Sequence, residues 1–160
     1  MSSASFAERD ALLIAEPAQE HAFLARIRLR ARRHILWLRH LWANTASGLG
    51  LSISHDEVDR ILSAPEDLAQ LERAFHAADP AAHALAADIR SADQEAAADE
   101  LLVRFRHDFG LSDVELDLLT LTVAVEADPW MRRVFGYIHD DAASSLPTPW
   151  LARQMFQWPA

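Results

Sequence analysis

Residues 109–130 read FGLSDVELDLLTLTVAVEADPW, and the fold class turns on them. Gly110 is placed to stop an incoming helix, because a residue without Cβ enters the left-handed conformation at little steric cost. Ser112 and Glu115 then form an S-x-x-E capping box. Hydroxyl and carboxylate each satisfy a backbone N–H that the first helical turn leaves without a partner. Leu111 before the cap and Leu116 after it are spaced as a hydrophobic staple. An almost wholly apolar run follows, Leu118 to Val125, closed by Glu126, Asp128 and Pro129. The stretch holds no nucleophile–base pair, no phosphate loop and no metal-ligand spacing. It specifies a buried helix and no visible chemistry.

Two further helices follow. Asp128-Pro129 opens WMRRVFGYIH, and after the loop DDAASSLP, Thr148-Pro149 opens WLARQMFQW. Leu116, Leu119 and Val123 on the first helix, with Val134, Phe135 and Ile138 on the second, fall at three- and four-residue spacing. They are expected to be buried together.

The same punctuation recurs upstream, while strand alternation is absent and β-branched residues are thinly scattered. A short apolar helix is expected over Phe6–Ala15. A long one follows over about Pro17–Ala46, with Leu24, Ile27, Ala31, Ile35, Leu38 and Leu41/Trp42 as one apolar stripe. Leu29, Leu36 and Trp37 form a second stripe, so this helix should touch neighbours on two sides. SGLGLS interrupts it. Ser54 and Glu57, flanked by Ile53 and Val58, box and staple the start of HDEVDRIL. Ser63, Pro65 and Glu66 open LAQLERAFHA, and Asp79-Pro80 opens an Ala-rich stretch reaching Phe109, with a break expected near Ser91.

Seven or eight helices with short loops make an all-α chain, a multi-helix bundle ending in a trihelical, helix-turn-helix-like unit. Its segments are 1–50, with the long Arg-rich helix, a helical middle over 51–109, and the trihelical unit over 110–160, together forming one compact domain. Trp150, Met155, Phe156 and Trp158 crowd the last eleven residues. Such aromatic surface with nothing after it is expected of a fragment of a longer protein.

At 160 residues the chain can bury a real core, and 51% apolar with 24% charged residues is globular, not disordered. It has no Cys, which excludes disulfides, thiol chemistry and Cys-based zinc sites. No apolar run reaches membrane-spanning length and no signal peptide is visible, so a soluble cytoplasmic protein is expected, with no membrane partner.

The net charge of −9 is unevenly spread. ARIRLRARRHILWLRHLW, residues 25–42, carries six Arg and no acid, whereas 110–147 carries seven acids against Arg132 and Arg133. The overall acidity weighs against nucleic acid, whose phosphates draw affinity from basic residues. The Arg-rich helix is the exception: it could meet nucleic acid, anionic lipid, or acids of this protein or a partner. The reading favoured here is a two-sided packed helix whose Arg heads meet the protein's own acids or an acidic protein. Trp37 and Trp42 follow helical spacing, which suits packing better than base stacking.

The sequence also holds features of two other chemistries. His55-Asp56, His107-Asp108 and His139-Asp140 invite comparison with metal-dependent HD-type phosphohydrolases, in which His and Asp converge on a metal. All three dipeptides lie at helix ends, where polar residues are ordinary, so no catalysis is expected. A helix-turn-helix reader of DNA would place the Thr148 helix in the groove. That helix offers only Arg153, Gln154 and Gln157, inside an acidic unit, and protein packing is the better expectation.

The run FGLSDVELDLLTLTVAVEADPWMRRVFGYIHDDAASSLPTPWLARQM resembles the N-terminal region of a bacterial AAA+ ATPase family. Members carry a similar FGLSxxExDLLLL block, then ELDPRY and PTVxLAL blocks. LARIRLRARRHILWLR and LSISHDEVDRILSAP resemble upstream blocks of the family, so the likeness runs over about Phe23–Phe156. It departs at EADPW, at AASSL, where members are often Arg-rich, and at PTPWLARQ. In that family the region precedes a winged-helix-like element and an ATPase core, and some members are encoded with phage-tail-like contractile injection systems.

The resemblance implies a non-catalytic N-terminal module, truncated winged-helix-like, serving recognition, assembly or regulation. ATP and Mg would bind only in a following core, since G-x-x-x-x-G-K-[ST] is absent here. Expected partners are a protein or the module's own ATPase core, with homo-oligomers formed through the parent. Candidate partner-binding residues are Arg26, Arg30, Arg33, Trp150, Arg153 and Trp158. The alternative is a nucleic-acid-binding helix-turn-helix module.

Overall fold

A computed structural model describes residues 21–43, 59, 62 and 65–158, and among them every regular element is a helix. In order they are α1 (Ala22–Ala43), α2 (Pro65–Ala78), α3 (Pro80–Ala98), α4 (Glu100–Phe109), α5 (Asp113–Ala127), α6 (Met131–Ile138) and α7 (Pro149–Phe156). The Phe6–Ala15 helix, the outer ends of the long helix, SGLGLS, the Ser54 capping box and His55-Asp56 lie outside the described residues. No helix among the described residues is long and apolar enough to cross a membrane.

Side-chain caps set most of the boundaries. Asp79 accepts from the Ala82 N–H at 2.8 Å, with Pro80 in the first turn of α3. At α5 both arms of the capping box are made, Ser112 N–H to Glu115 Oε2 at 2.8 Å and Glu115 N–H to Ser112 Oγ at 3.3 Å. Thr148 accepts from the Leu151 N–H at 3.1 Å and Pro149 follows it. Gly110 ends α4 in the left-handed region, φ 63°, which a Cβ would strain.

The break expected near Ser91 falls instead at Asp99. Its carboxylate accepts from the Leu101 and Leu102 N–H groups and so starts α4, while Ser91 lies within α3 and donates to Glu95. Asp competes for backbone N–H groups more strongly than a mid-helix Ser whose hydroxyl has its own partner.

α1 is the axis of the molecule, in contact with α3, α5, α6 and α7 and, less extensively, α2. One core runs along it: Ile27 and Ala31 of α1 meet Leu121, Phe135, Leu151 and Met155 of the trihelical unit, all essentially inaccessible to water. On the far side Trp37 packs near Phe75 of α2, ring centroids 5.7 Å apart. Of the second stripe, Trp37 thus meets a different neighbour, whereas Leu36 lies with Ile35 on the α6 side.

The buried face of α5 differs from the expected one. Phe135 and Ile138 are buried and Val134, Leu116 and Leu119 are half-buried, but Val123 is 41% exposed. The inward side chains are Asp117, Thr120, Leu121, Ala124 and Val125. A helix apolar almost all round carries no phase of its own. Its rotation is fixed from outside, by the groups that meet Asp117.

The aromatic surface expected at the end of the chain is also largely covered. Met155 and Phe156 are buried and Trp158 is half-buried, which leaves Trp150 as the exposed aromatic of α7.

Candidate functional site

Asp117 interrupts an apolar run, and it is where the basic helix turns inward. Arg26 of α1 donates through Nη1 to Asp117 Oδ1 at 2.6 Å and through Nε to Asp93 Oδ1 of α3 at 2.7 Å. One turn on, Arg30 Nη2 donates to both oxygens of Asp93 at 2.7 Å. Trp158 Nε1 donates to the second Asp117 oxygen at 3.0 Å. Phe156 lies beneath both guanidinium groups, its ring centre 4.7 Å from Arg26 and 5.0 Å from Arg30, and stacks on Trp158. Cations over aromatic faces are held most strongly where water is excluded.

The electrostatics follow from this geometry. Burial works against ionised Asp93, but hydrogen bonds and charge from Arg30 and Arg26 outweigh it, holding its carboxyl below the usual range. Burial likewise lowers Arg26, yet Asp93 and Asp117 reverse the effect and the net shift is upward. Arg33 receives less compensation. Burial, then the charge of Arg30, lower its pKa against the opposing pull of Glu72 and Asp93. Beside it, His34 Nδ1 lies 3.3 Å from Glu72 Oε1, and His76 is pushed below its ordinary value chiefly by burial.

The remaining arginines of α1 face the opposite way. Arg28 donates to Asp128 Oδ2 at 2.8 Å, and the Asp128 carboxyl is lowered first by that bond. Arg28, Arg32 and Arg39 border a groove of about 450 Å³ between α1 and α6. Its floor is the buried Ala31 and Met131, its walls include Ile35, Leu36 and Val134, and Trp130 stands on its edge at 69% exposure. A neighbouring cavity of about 620 Å³ is lined by Trp42, Arg132, Arg133, Tyr137, Asp140 and Asp141 among others. Arg39, Tyr137 and Trp42 join the two: Arg39 Nε lies 3.5 Å from the Tyr137 hydroxyl, and Trp42 meets the Tyr137 ring edge-on.

Gly136 floors this second cavity because the following turn closes on it. A Cβ there would come within 3.3 Å of the Asp141 carbonyl oxygen. Asp140, at φ 52°, makes the turn.

Of the six candidate partner-binding residues, Arg26, Arg30 and Trp158 are spent on the protein's own acids. Arg33 is half-buried beside Arg30 and Glu72. Trp150, half exposed and tilted against His139, and the exposed Arg153 face solvent. The surface arginines Arg28, Arg32 and Arg39, and Trp130, were not among the six. Helical phase was the available signal: 26, 30 and 33 lie on one stripe, 28, 32 and 39 on another. In the structure it is the first of these stripes that meets Asp117, the lone acid inside LDLL.

The His-Asp pairs are dispersed. His107 and Asp108 are exposed at the end of α4. His139 links two helices, with Nδ1 2.9 Å from the Phe135 carbonyl oxygen and Nε2 3.0 Å from Thr148 Oγ1. The carbonyl can only accept, so Nδ1 carries a proton and donates to it. Among the described residues no group of three or more His, Asp or Glu is arranged to hold a metal ion.

A family model described as "Winged helix domain, variant" matches residues 18–158. No curated protein and no solved structure matches the chain. The trihelical order α5–α6–α7 is that of a helix-turn-helix, with α7 in the position that reads DNA in readers of that class. Here Leu151, Ala152, Met155 and Phe156 of α7 are buried against the rest of the protein, and its charged side chain is Arg153.

Proposed function

Because this chain belongs to the variant winged helix domain family, we propose that it is a non-catalytic protein-recognition module. Its place is the N-terminal region of a cytoplasmic AAA+ ATPase, where it serves recognition, assembly or regulation of the ATPase core. The observation that carries the recognition reading is the internal use of the basic helix. Arg26, Arg28 and Arg30 are bonded to Asp93, Asp117 and Asp128 on other elements, so these cations hold the fold together before they meet any ligand. The outer face of α7 supports the same reading, since a helix that reads bases offers several polar side chains to a groove and α7 carries Arg153 as its one charged residue.

The parent ATPase is supported by the resemblance of four ordered blocks, from the Arg-rich helix to PTPWLAR. On this reading ATP and Mg belong to the following core, catalysis lies outside this chain, and homo-oligomers form through the parent. The test is made on the full gene. The coding sequence beyond Ala160 is expected to encode a G-x-x-x-x-G-K-[ST] loop. Deleting residues 1–160 should then leave nucleotide turnover while removing recruitment of the partner. A downstream sequence without a P-loop would overturn the placement in an ATPase.

A further inference from the structure

We propose that the groove between α1 and α6 is the docking site for an acidic segment of a partner protein that carries apolar anchor side chains. The proposal rests on the protein-recognition reading and gives that partner its chemistry. On α1, Arg28, Arg32 and Arg39 recur along one side of the helix, with Ile35 and Leu36 among them. Facing them, Trp130 and Val134 close the groove over the buried Met131. The shape is that of an apolar trough with a cationic rim, and about 450 Å³ suits a few inserted side chains.

Charge complementarity selects the occupant. The groove carries three arginines against one aspartate, Asp128, in a chain whose net charge is −9. An acidic segment is repelled by most of the surface and attracted here, which favours this orientation of encounter over others. Arg28 already answers Asp128, so the exposed Arg32 and Arg39 are the cations that meet the ligand's carboxylates. Trp130, the most exposed aromatic of the described residues, has the Arg133 guanidinium 5.9 Å from its ring and offers a large anchor at the rim.

A nucleic acid fits less well. The apolar floor gives a phosphate backbone nothing to bond. Asp128 inside the groove, and Asp140 and Asp141 opposing Arg132 and Arg133 in the adjoining cavity, set carboxylates among the cations along any extended polyanion's path.

The experiment is selection of a random-peptide phage library on the full chain. Labelled synthetic copies of the enriched peptides are then titrated by fluorescence anisotropy. The expected peptides combine Asp or Glu with aliphatic or aromatic residues. Their affinity should drop about tenfold or more for Trp130→Ala and for the double variant Arg32→Glu/Arg39→Glu. These side chains are exposed, and unchanged helical circular dichroism would show that the variants fold. No enrichment, enriched peptides lacking acids, displacement of the peptide by duplex DNA at physiological salt, or affinities indifferent to both variants would each overturn the proposal. Indifference would point to another surface and leave protein recognition standing. A missing P-loop downstream would remove the ATPase and leave the groove.

Discussion

Asp117 sits in ELDLLTL, an acid among apolar neighbours, and both of its oxygens are used: one by Arg26, the other by the Trp158 indole. Replacing it with Asn keeps the volume but leaves Arg26 half-paired in a poorly hydrated place. Asp117→Asn is expected to cost about 2–3 kcal/mol in denaturant melts, at the low end for a broken buried pair because Arg26 retains Asp93. A neutral result would show that the pairing is incidental to stability. Asp93 gives the pH dependence. Its folded pKa lies below the ordinary 3.8, so its contribution is complete above that value. It is lost as pH falls from there through the depressed pKa. Wild type should therefore lose melting temperature on acidification below about pH 4. Asp93→Asn should start lower at neutral pH and lose less. An equal acid slope in the two proteins would contradict this assignment.

α5 shows what each kind of signal can and cannot specify. Its start was legible because a capping box is local: Ser112, Glu115 and the left-handed Gly110 act within a few residues. The same holds for Asp79-Pro80 and Thr148-Pro149. Ser112→Ala should cost about 1 kcal/mol. The rotation of α5 was not legible, because Leu118 to Val125 is apolar on nearly every side and the partners of Asp117, Arg26 and Trp158, are distant in sequence. Hence Leu121, fully buried, is expected to cost about 2–5 kcal/mol on change to Ala. Val123→Ala should fall within about 0.5 kcal/mol of wild type. The reverse order of these two, read from urea midpoints, would restore the face expected from spacing.

The candidate site was legible only in part for the same reason. ARIRLRARRHILWLRHLW announces cations but not which of them look inward, and Trp130 reads from sequence as one more apolar residue of a helix start.

For the molecule as a whole, an acidic chain is built around a basic axis. α1 brings its arginines to Asp93 of α3, Asp117 of α5 and Asp128 between α5 and α6, so three other parts of the chain converge on one helix. The trihelical unit, which in a DNA reader would present α7, turns much of that helix inward onto α1. What remains outside is a groove with a short cationic rim, and carboxylates stand beside it. The decisive comparison is a titration of labelled duplex DNA with the full chain at two salt concentrations. No sub-micromolar binding is expected near physiological salt, with no steep loss as salt rises, because arginines already paired with Asp93, Asp117 and Asp128 are not available to neutralise phosphates and release the counterions condensed on them. Sub-micromolar binding that weakens sharply with salt, and disappears in the folded Arg32→Glu/Arg39→Glu variant, would make this a nucleic-acid module and contradict the account.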